Sequence, residues 1–341
     1  MRIRKYLCAG VALGLLTGMA SEVSAQTFEN VGVRAQGMSG AFVAVADDAT
    51  ASWWNPAGLV TGTYLSAVIE RGRTTEPVTP TAEGPAARTT SSSMALAFPV
   101  LGVSYYRLRL SEIASPTTTA VSSGNRQDPQ ESGTSVRSVA IRQFGTTVGQ
   151  SLGDHLVIGT TLKLLRAGAV VNAPAGTDLL DAADAAAVAR QTRADADVGA
   201  MANFGHVRLG LTVKNVFEPS FGDEGAGRLT LGRQARVGLA VLSVANGSLK
   251  GVTVAADADL TTTATAVGEV RHVAAGAEVW LAQGRLGVRA GASANTVGAS
   301  RPAASAGVSV AVTPALLLNA SRTMGRDDSV TGWSSSVNLS F

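Results

Sequence analysis

The sequence predicts an all-β protein, a transmembrane antiparallel β-barrel of about fourteen strands. Three observations indicate this fold: an export signal at the N-terminus, short segments of alternating apolar and polar residues, and long polar connections that alternate with short turns. The mean hydropathy of the 341 residues is +0.20. After the export signal, however, no apolar run approaches the length of about 18 residues expected of a spanning helix. The hydrophobicity is instead spread over alternate residues, as in a barrel that faces lipid.

Residues 1–25 have the three parts of a secretory signal peptide. A basic start is followed by an apolar run from Tyr6 to Met19 and by the small-x-small pattern Val23-Ser-Ala25. The apolar run is too short for a membrane-spanning helix, which needs about 20 residues. The only cysteine, Cys8, lies within this signal. The exported chain is therefore expected to begin near Gln26, without disulfides or thiolate metal sites.

The strand prediction rests on period-two alternation after Tyr64. In the run from Val207 to Lys214, for example, valine and leucine alternate with arginine, glycine, threonine and lysine. Alternation of this kind is predicted near 64–71, 93–98, 100–109, 135–147, 155–168, 195–204, 207–218, 233–242, 250–260, 267–281, 284–293, 303–312, 315–323 and 332–341. Residues 64–341 are therefore assigned to the barrel.

The connections distinguish a membrane barrel from a soluble sandwich, whose strands alternate in the same way. Long polar connections occupy about 72–92, 110–134, 169–194 and 219–232, and mostly tight turns lie between them. Transmembrane barrels have short periplasmic turns and long extracellular loops, whereas a sandwich has no reason to keep that rhythm. With the C-terminus on the periplasmic side, every long loop falls outside. The third loop is also expected to contain a short helix within residues 179–193.

The last predicted strand ends in an aromatic residue. One of its faces presents apolar side chains, and it resembles the terminal strand that the barrel-insertion machinery of the outer membrane reads. The residues assigned to this insertion signal are Trp333, Val337, Leu339 and Phe341.

Single charges recur on the opposite, polar faces of the predicted strands. A charge on a strand that spans lipid is expected to face the interior of the barrel. The residues predicted to line the lumen in this way are Lys163, Arg208, Lys214, Asp257, Asp259, Glu278 and Arg289.

The sequence does not favour an enzyme. The three histidines, His155, His206 and His272, are not spaced as metal ligands, and no nucleophile motif such as G-x-S-x-G occurs. A net charge of +3 comes from scattered arginines without the basic stripe that a nucleic acid would require. We therefore expect no metal, no cofactor and no nucleic-acid partner.

Residues 26–63 lack strand patterning and carry the most specific motif. The run Arg34-Ala-Gln-Gly-Met-Ser-Gly-Ala-Phe-Val-Ala-Val-Ala-Asp-Asp-Ala, followed by Trp54-Asn-Pro-Ala-Gly58, resembles the N-terminal hatch of the FadL-like (FadL/TodX-like) outer-membrane proteins, and most closely the branch with the PorV-type proteins. The resemblance implies a barrel of 14 strands whose lumen is blocked by this hatch. The hatch residues carried over are Arg34, Gly37, Gly40, Asp47, Asp48, Trp54, Asn55, Pro56, Ala57 and Gly58.

Two functions follow from the resemblance. The first is a Gram-negative outer-membrane channel for hydrophobic small molecules, such as fatty acids or aromatic solutes, gated by the hatch. The second is a PorV-type scaffold that binds exported proteins in a secretion system. A plain space-filling plug also remains open for residues 26–63. Partners are then outer-membrane lipid, the insertion machinery, and either a hydrophobic ligand or a secreted protein. Asp47 and Asp48 are expected to cap a helix or to pair with lumen arginines such as Arg208 or Arg289.

Overall fold

A computed structural model describes most of the chain that follows the predicted signal peptide. The described residues are 31–76, 87–114, 135–172, 179–222, 228–244, 249–265, 268–326 and 329–341. The predicted signal peptide, residues 1–25, and the first five residues of the predicted hatch lie outside them.

Fourteen antiparallel strands form one closed barrel, as the sequence predicts. Each strand pairs with the next along the wall, and the last pairs with the first, Ser66 lying opposite Ser340. The strands are β1 (Ser66–Glu76), β2 (Ala87–Phe98), β3 (Leu101–Ala114), β4 (Ser135–Leu152), β5 (Leu156–Asn172), β6 (Gln191–Phe204), β7 (Val207–Lys214), β10 (Gln234–Val244), β11 (Leu249–Asp259), β14 (His272–Leu281), β15 (Leu286–Asn295), β16 (Ala303–Ala311), β17 (Leu316–Gly325) and β18 (Thr331–Ser340).

Two small ribbons and one helix lie at the end of the barrel that carries the long connections, here called the loop end; the opposite end is the turn end. The ribbons pair β8 (Ser220–Phe221) with β9 (Leu229–Thr230), and β12 (Thr263–Thr265) with β13 (Gly268–Val270). The helix α3 spans Leu179–Ala185 and is shorter than the expected 179–193, because the chain enters β6 at Gln191.

The strand boundaries differ from the prediction mainly at the loop end. The sequence predicts a loop over 72–92, yet β1 continues to Glu76 and β2 begins at Ala87. Backbone pairing does not need apolar side chains, so the strands extend beyond the segments that look apolar. β7 shows the opposite error and stops at Lys214, short of 218, because Asn215 adopts a φ of 55°.

The two faces of the wall follow the predicted alternation. Exposed apolar side chains such as Leu209 and Leu211 point outward from β7, whereas Thr212 and Lys214 point inward and are buried. The assigned insertion residues of β18 point outward, and Phe341 pairs with Leu65 by backbone hydrogen bonds just past the strand. Aromatic residues are exposed at both ends of the barrel: Tyr64, Phe98, Phe204 and Phe341 at the turn end, and Phe217 and Trp333 at the loop end.

Residues 31–63, here called the N-terminal segment, lie inside the barrel. The segment comprises α1 (Val33–Gly37), α2 (Ala51–Trp54) and a 3₁₀ helix (Pro56–Thr61) joined by turns. It contacts β1, β3, β4, β5, β6, β7, β11 and β14 to β16, strands that lie all round the wall. Only a segment within the lumen can make such contacts. In the described part of the chain, no helix is long and apolar enough to cross a membrane.

Candidate functional site: the occupied lumen

Arg34 is the centre of an ionic network between the N-terminal segment and the wall. Its Nη1 lies 2.7 Å from Asp47 Oδ1 and 2.9 Å from Asp48 Oδ2. Its Nη2 and Nε bind both oxygens of Glu278 on β14, at 2.9 and 3.1 Å. Arg289 on β15 donates from Nε to the same carboxylate. One buried glutamate therefore connects the segment to two neighbouring wall strands through charge-assisted bonds.

The predicted pairing of the two aspartates is wrong in part. Asp47 and Asp48 bind Arg34 of their own segment and neither Arg208 nor Arg289. Asp48 also accepts the Thr50 backbone N–H at 2.8 Å in the turn before α2, but α2 itself has no side-chain cap, so the capping alternative is not observed. The segment folds back on itself before it meets the wall, so its acids reach an arginine close in sequence first.

Arg34 remains protonated and positively charged in the network. Burial lowers the pKa of its guanidinium, but Glu278, Asp47 and Asp48 outweigh this effect and hold the pKa well above its ordinary value. The network therefore cannot be dissolved by losing a proton from Arg34, and its release requires a competing charge or a movement of the segment.

Two further carboxylates of the wall bind backbone N–H groups of the segment. Asp257 on β11 accepts from Phe42 and Val43, both at 2.8 Å, and Glu70 on β1 accepts from Gly32 at 2.8 Å. Buried backbone donors without partners are costly, so these acids satisfy turns that no sheet or helix can satisfy. Asp257 was among the predicted lumen charges; Glu70 was not, although it follows Ala67–Ile69 in the same alternating run.

The Asn55-Pro56 pair fixes the second half of the segment. The Asn55 amide donates to the carbonyl oxygens of Val43 and Ala200 at 3.0 and 3.1 Å, and its Oδ1 accepts from Ala57 N at 3.2 Å. One side chain thus links two parts of the segment to β6. Pro56 begins the 3₁₀ helix, and its rigid φ suits that first position.

Wall glycines allow the segment to approach closely. A Cβ on Gly159 would lie 2.3 Å from the Pro56 carbonyl carbon, and one on Gly291 would lie 2.4 Å from that of Met38. Both distances are too short for any side chain. Within the segment, Gly37 faces Gly307 of β16 in the same way, and Gly40 has a φ of 87° that favours glycine.

Two buried lysines of the wall differ in their partners: Lys214 contacts α2, and Lys163 pairs with acids of the neighbouring strand. Lys214 Nζ lies 3.2 Å from the centroid of the Trp53 ring, a cation–π contact. Lys163 Nζ lies 2.6 Å from Asp197 and 3.1 Å from Asp195, and all three side chains are buried. Trp54, the predicted hatch aromatic, donates from Nε1 to Val31 O at 3.0 Å.

The remaining predicted lumen charges also lie on inward faces, but outside the Arg34 network. Asp259 pairs with Arg236 at 2.6 Å and accepts the His272 backbone N–H. Arg208 is half-buried, and its Nη1 has no hydrogen-bond partner among the described residues. The site therefore brings together Glu278, Arg289 and Asp257 but not Arg208.

Apolar side chains line the lumen towards the loop end, a feature that the sequence prediction missed. Leu108, Ile141 and Leu165 point inward from β3, β4 and β5 and join the same buried cluster as Trp53 of the segment. The β8–β9 ribbon completes the cluster with Phe221, Leu229 and Leu231, all fully buried. Residues 219–232 are predicted as a polar outer loop, yet the spacing of Leu229 and Leu231 is a short apolar alternation that signals burial.

A polar cavity of about 430 Å³ lies on the other side of the network, at the turn end. It is lined by Arg34, Asp47 and Asp48 of the segment and by wall residues that include Lys250, Trp280 and Asn319. The N-terminal segment thus divides the lumen: the polar cavity lies on the turn side, and on the loop side an apolar cluster on β3, β4 and β5 lies beside buried charges of β6, β7 and β10.

The closed barrel of fourteen strands with its own N-terminal segment inside defines the class: it has the fold of the FadL-like outer-membrane barrels. The chain belongs to the family described as "F plasmid transfer operon, TraF, protein", whose model matches residues 81–259. The FadL-like resemblance is thus confirmed for the fold, whereas the family is TraF. A comparison with curated protein sequences gives no match.

Solved structures of channels and transporters share the fold. A FadL homologue from Pseudomonas aeruginosa superposes with a TM-score of 0.58 at 11% identity, over 91% of this chain and 98% of that one. The CymD monoaromatic hydrocarbon channel gives 0.60 at 12% identity, over 93% and 99%. The toluene transporter TbuX of Ralstonia pickettii gives 0.58 at 11% identity, over 92% and 99%. At these identities the likeness establishes the fold.

Proposed function

We propose that this protein is an outer-membrane transporter for hydrophobic small molecules, exported by a cleaved signal peptide, in which the N-terminal segment is the hatch. The observation that carries the proposal is the shared fold with a toluene transporter and a hydrocarbon channel over more than nine-tenths of the chain. A hydrophobic solute needs an apolar surface within the lumen, and the buried cluster on β3, β4 and β5 is such a surface on the loop side.

The proposed path begins at the loop end. A hydrophobic solute leaves water for the cluster around Leu108, Ile141 and Leu165 and reaches Trp53 of the hatch. The path is closed beyond this point, because the segment touches strands all round the wall. Passage towards the polar cavity at the turn end therefore requires the hatch to move, which breaks the Arg34 network first because it borders that cavity.

Uptake by cells tests this proposal. Cells that lack their own hydrocarbon and fatty-acid transporters would express the protein, and entry of labelled toluene and of a labelled long-chain fatty acid would be measured. A heat-modifiable gel shift confirms that the barrel is folded. Uptake of either solute that rises with the amount of folded protein supports transport, and folded protein without uptake of both contradicts it. A matched variant, Leu108→Asp with Leu165→Asp, should abolish uptake because it places charges in the apolar path.

The family match favours a second function, a scaffold for exported proteins. Its description names a plasmid-transfer operon, and a transfer apparatus that exports macromolecules is one setting for such a scaffold. Cross-linking at the loop end in cells that carry a transfer operon distinguishes the two functions. A specific cross-linked protein together with absent uptake favours the scaffold.

A further inference from the structure

Four arginines and one serine form a row on the outward face of the wall. In the registers of β1 to β5, Arg71 lies opposite Ser92, Ser92 opposite Arg107, Arg107 opposite Arg142, and Arg142 opposite Arg166. The alternation of these strands turns all five side chains away from the lumen. We call Arg71, Arg107, Arg142 and Arg166 the arginine row.

The arginine row lies immediately beside the apolar band. The next outward-facing residues towards the turn end, again opposite one another, are Ile69, Met94, Tyr105, Phe144 and Leu164. Met94 and Leu164 are each 55% exposed, as expected of side chains that meet lipid. The side chains change from apolar to cationic within one step along every strand except β2.

An exposed tryptophan lies beside the end of the row on the neighbouring strand. Trp333 of β18 lies opposite Arg73, the outward-facing residue one step beyond Arg71 towards the loops. Tryptophan is enriched where hydrocarbon gives way to headgroups. Trp333 and the neighbouring Arg73 therefore lie near the boundary between the membrane core and the headgroups, and the arginine row, which follows the strand register, runs obliquely to that boundary because barrel strands are tilted.

The arginine row has no ion-pair partner among the described residues. None of its four arginines forms an ion pair or a side-chain hydrogen bond with a described residue. Arg107, Arg142 and Arg166 lie directly opposite one another on adjacent strands, an arrangement of like charges that destabilises a sheet unless an anion lies between them. Burial and then Arg142 and Arg166 lower the pKa of the nearby Arg190, whose Nε is buried without a partner among the described residues.

A groove opens onto this surface. It has a volume of about 350 Å³ and contains one carboxylate, Asp184 of α3, which already binds Arg88 at 3.1 Å and Ser111. The other lining residues are Arg71, Arg73, Thr90, Ser92, Arg107 and Arg109. Four guanidinium groups and two hydroxyls around an open groove suit an anion with several oxygen acceptors.

We propose that the arginine row binds the phosphate groups of the anionic glycolipid of the outer leaflet, lipid A. The row faces the membrane, so its occupant comes from the bilayer and is not a solute in the lumen. Acyl chains would lie along the apolar band while the phosphates meet the guanidinium groups above it, which matches the two ends of one lipid molecule. The inference rests on the proposed outer-membrane location but not on transport.

Binding of lipid A to the purified, folded protein tests the inference. The protein in neutral detergent would be titrated with diphosphoryl lipid A and the bound lipid counted by native mass spectrometry. The variant R107Q/R142Q/R166Q should bind at least about tenfold more weakly, because it removes three charge-assisted donors. The control R233Q/R271Q/R285Q removes the same charge from exposed sites elsewhere and should bind like the wild type.

A charge-conserving variant, a folding control and two competing ligands complete the experiment. R107K/R142K/R166K keeps the charges and should retain most binding, and a heat-modifiable gel shift shows that each variant is folded. Equal binding of dephosphorylated lipid A, or equal losses in the Gln variant and its control, would overturn the inference. Displacement of the lipid by equimolar inorganic phosphate would assign the row to free phosphate instead. No solute is used, so the result is independent of the uptake measurement.

Discussion

Glu278 joins the N-terminal segment to the wall through a carboxylate shared by two arginines. Its carboxylate is buried and binds Arg34 at 2.9 and 3.1 Å as well as Arg289. In Glu278→Gln, two buried guanidinium groups lose their shared anion, and breaking a buried ion pair typically costs about 3–5 kcal/mol. We therefore expect a less stable barrel and a several-fold higher conductance in planar bilayers.

The matched control for this variant is Glu269→Gln, because Glu269 is an exposed glutamate outside the lumen. Its stability and conductance should match those of the wild type. A folded Glu278→Gln barrel with wild-type conductance would mean that the network does not hold the segment in place.

Substitution of Asn55 and Pro56 tests whether the Asn55 amide anchors the N-terminal segment. Asn55→Ala with Pro56→Ala leaves two carbonyls and one N–H without the amide that binds them, at about 1–3 kcal/mol for each buried group. The double variant should loosen the segment and raise bilayer conductance. Pro56→Ala alone keeps all three bonds and should change little; if it acts like the double variant, the amide is not the anchor.

The sequence predicts which face of the wall a strand residue occupies, but not which residue it contacts inside the lumen. Period two fixes which face a strand residue occupies, so Lys163, Asp257 and Glu278 are found on inward faces, as predicted. Their partners depend on the path of the N-terminal segment, which has no repeat to read. For that reason the pairing of Asp47 and Asp48 with Arg34 was not predictable from spacing.

At the scale of the strand, the close approach of β5 to the segment depends on a missing side chain. Gly159→Ala would place a methyl group 2.3 Å from the Pro56 carbonyl carbon, so either the strand or the 3₁₀ helix must shift. We expect lower thermal stability and greater protease access to the segment. Gly232→Ala is the control, since nothing lies within 4 Å of its Cβ; equal effects of the two substitutions would contradict the close-packing account.

The last strand gives a prediction about assembly. Phe341→Ser removes the terminal aromatic residue of the assigned insertion signal, and the amount of folded barrel in the outer membrane should fall several-fold. Tyr64→Ser is the matched control, because Tyr64 is an exposed aromatic residue at the same end of the barrel. Equal folded amounts of the two variants by gel shift would show that Phe341 is not read during insertion.

The number of strands was predictable from the sequence, but their ends and the β8–β9 ribbon were not. Alternation persists through each membrane-spanning part, whereas β1 and β2 continue on backbone pairing alone beyond it. The ribbon has only two residues per strand, too few for a period, so its buried Phe221 and Leu229 were predicted to lie in a polar loop.

For the whole molecule, the alternation of long loops and short turns between strands predicted a membrane barrel. The resemblance of the hatch motif predicted that the N-terminal segment lies inside it. Neither reveals the apolar cluster on the loop side of the lumen, because it arises from side chains of β3, β4, β5 and the ribbon that meet only in the folded barrel. The proposed function depends on this cluster and on a segment that must move.

Locking the segment to the wall tests that claim most directly. Cβ of Val43 lies 3.1 Å from a Cβ built on Gly238 of β10, slightly closer than the spacing of about 3.8 Å in a disulfide, and the Asp257 carboxylate, 2.5 Å from that new Cβ, must shift, which the Gly238→Cys single variant controls for. Val43→Cys with Gly238→Cys would be expressed in transporter-deficient cells, and uptake of labelled toluene compared before and after reduction, with each single-cysteine variant as a control. We predict uptake at background when the disulfide is formed and recovery on reduction. Undiminished uptake through a fully cross-linked barrel would contradict a moving hatch.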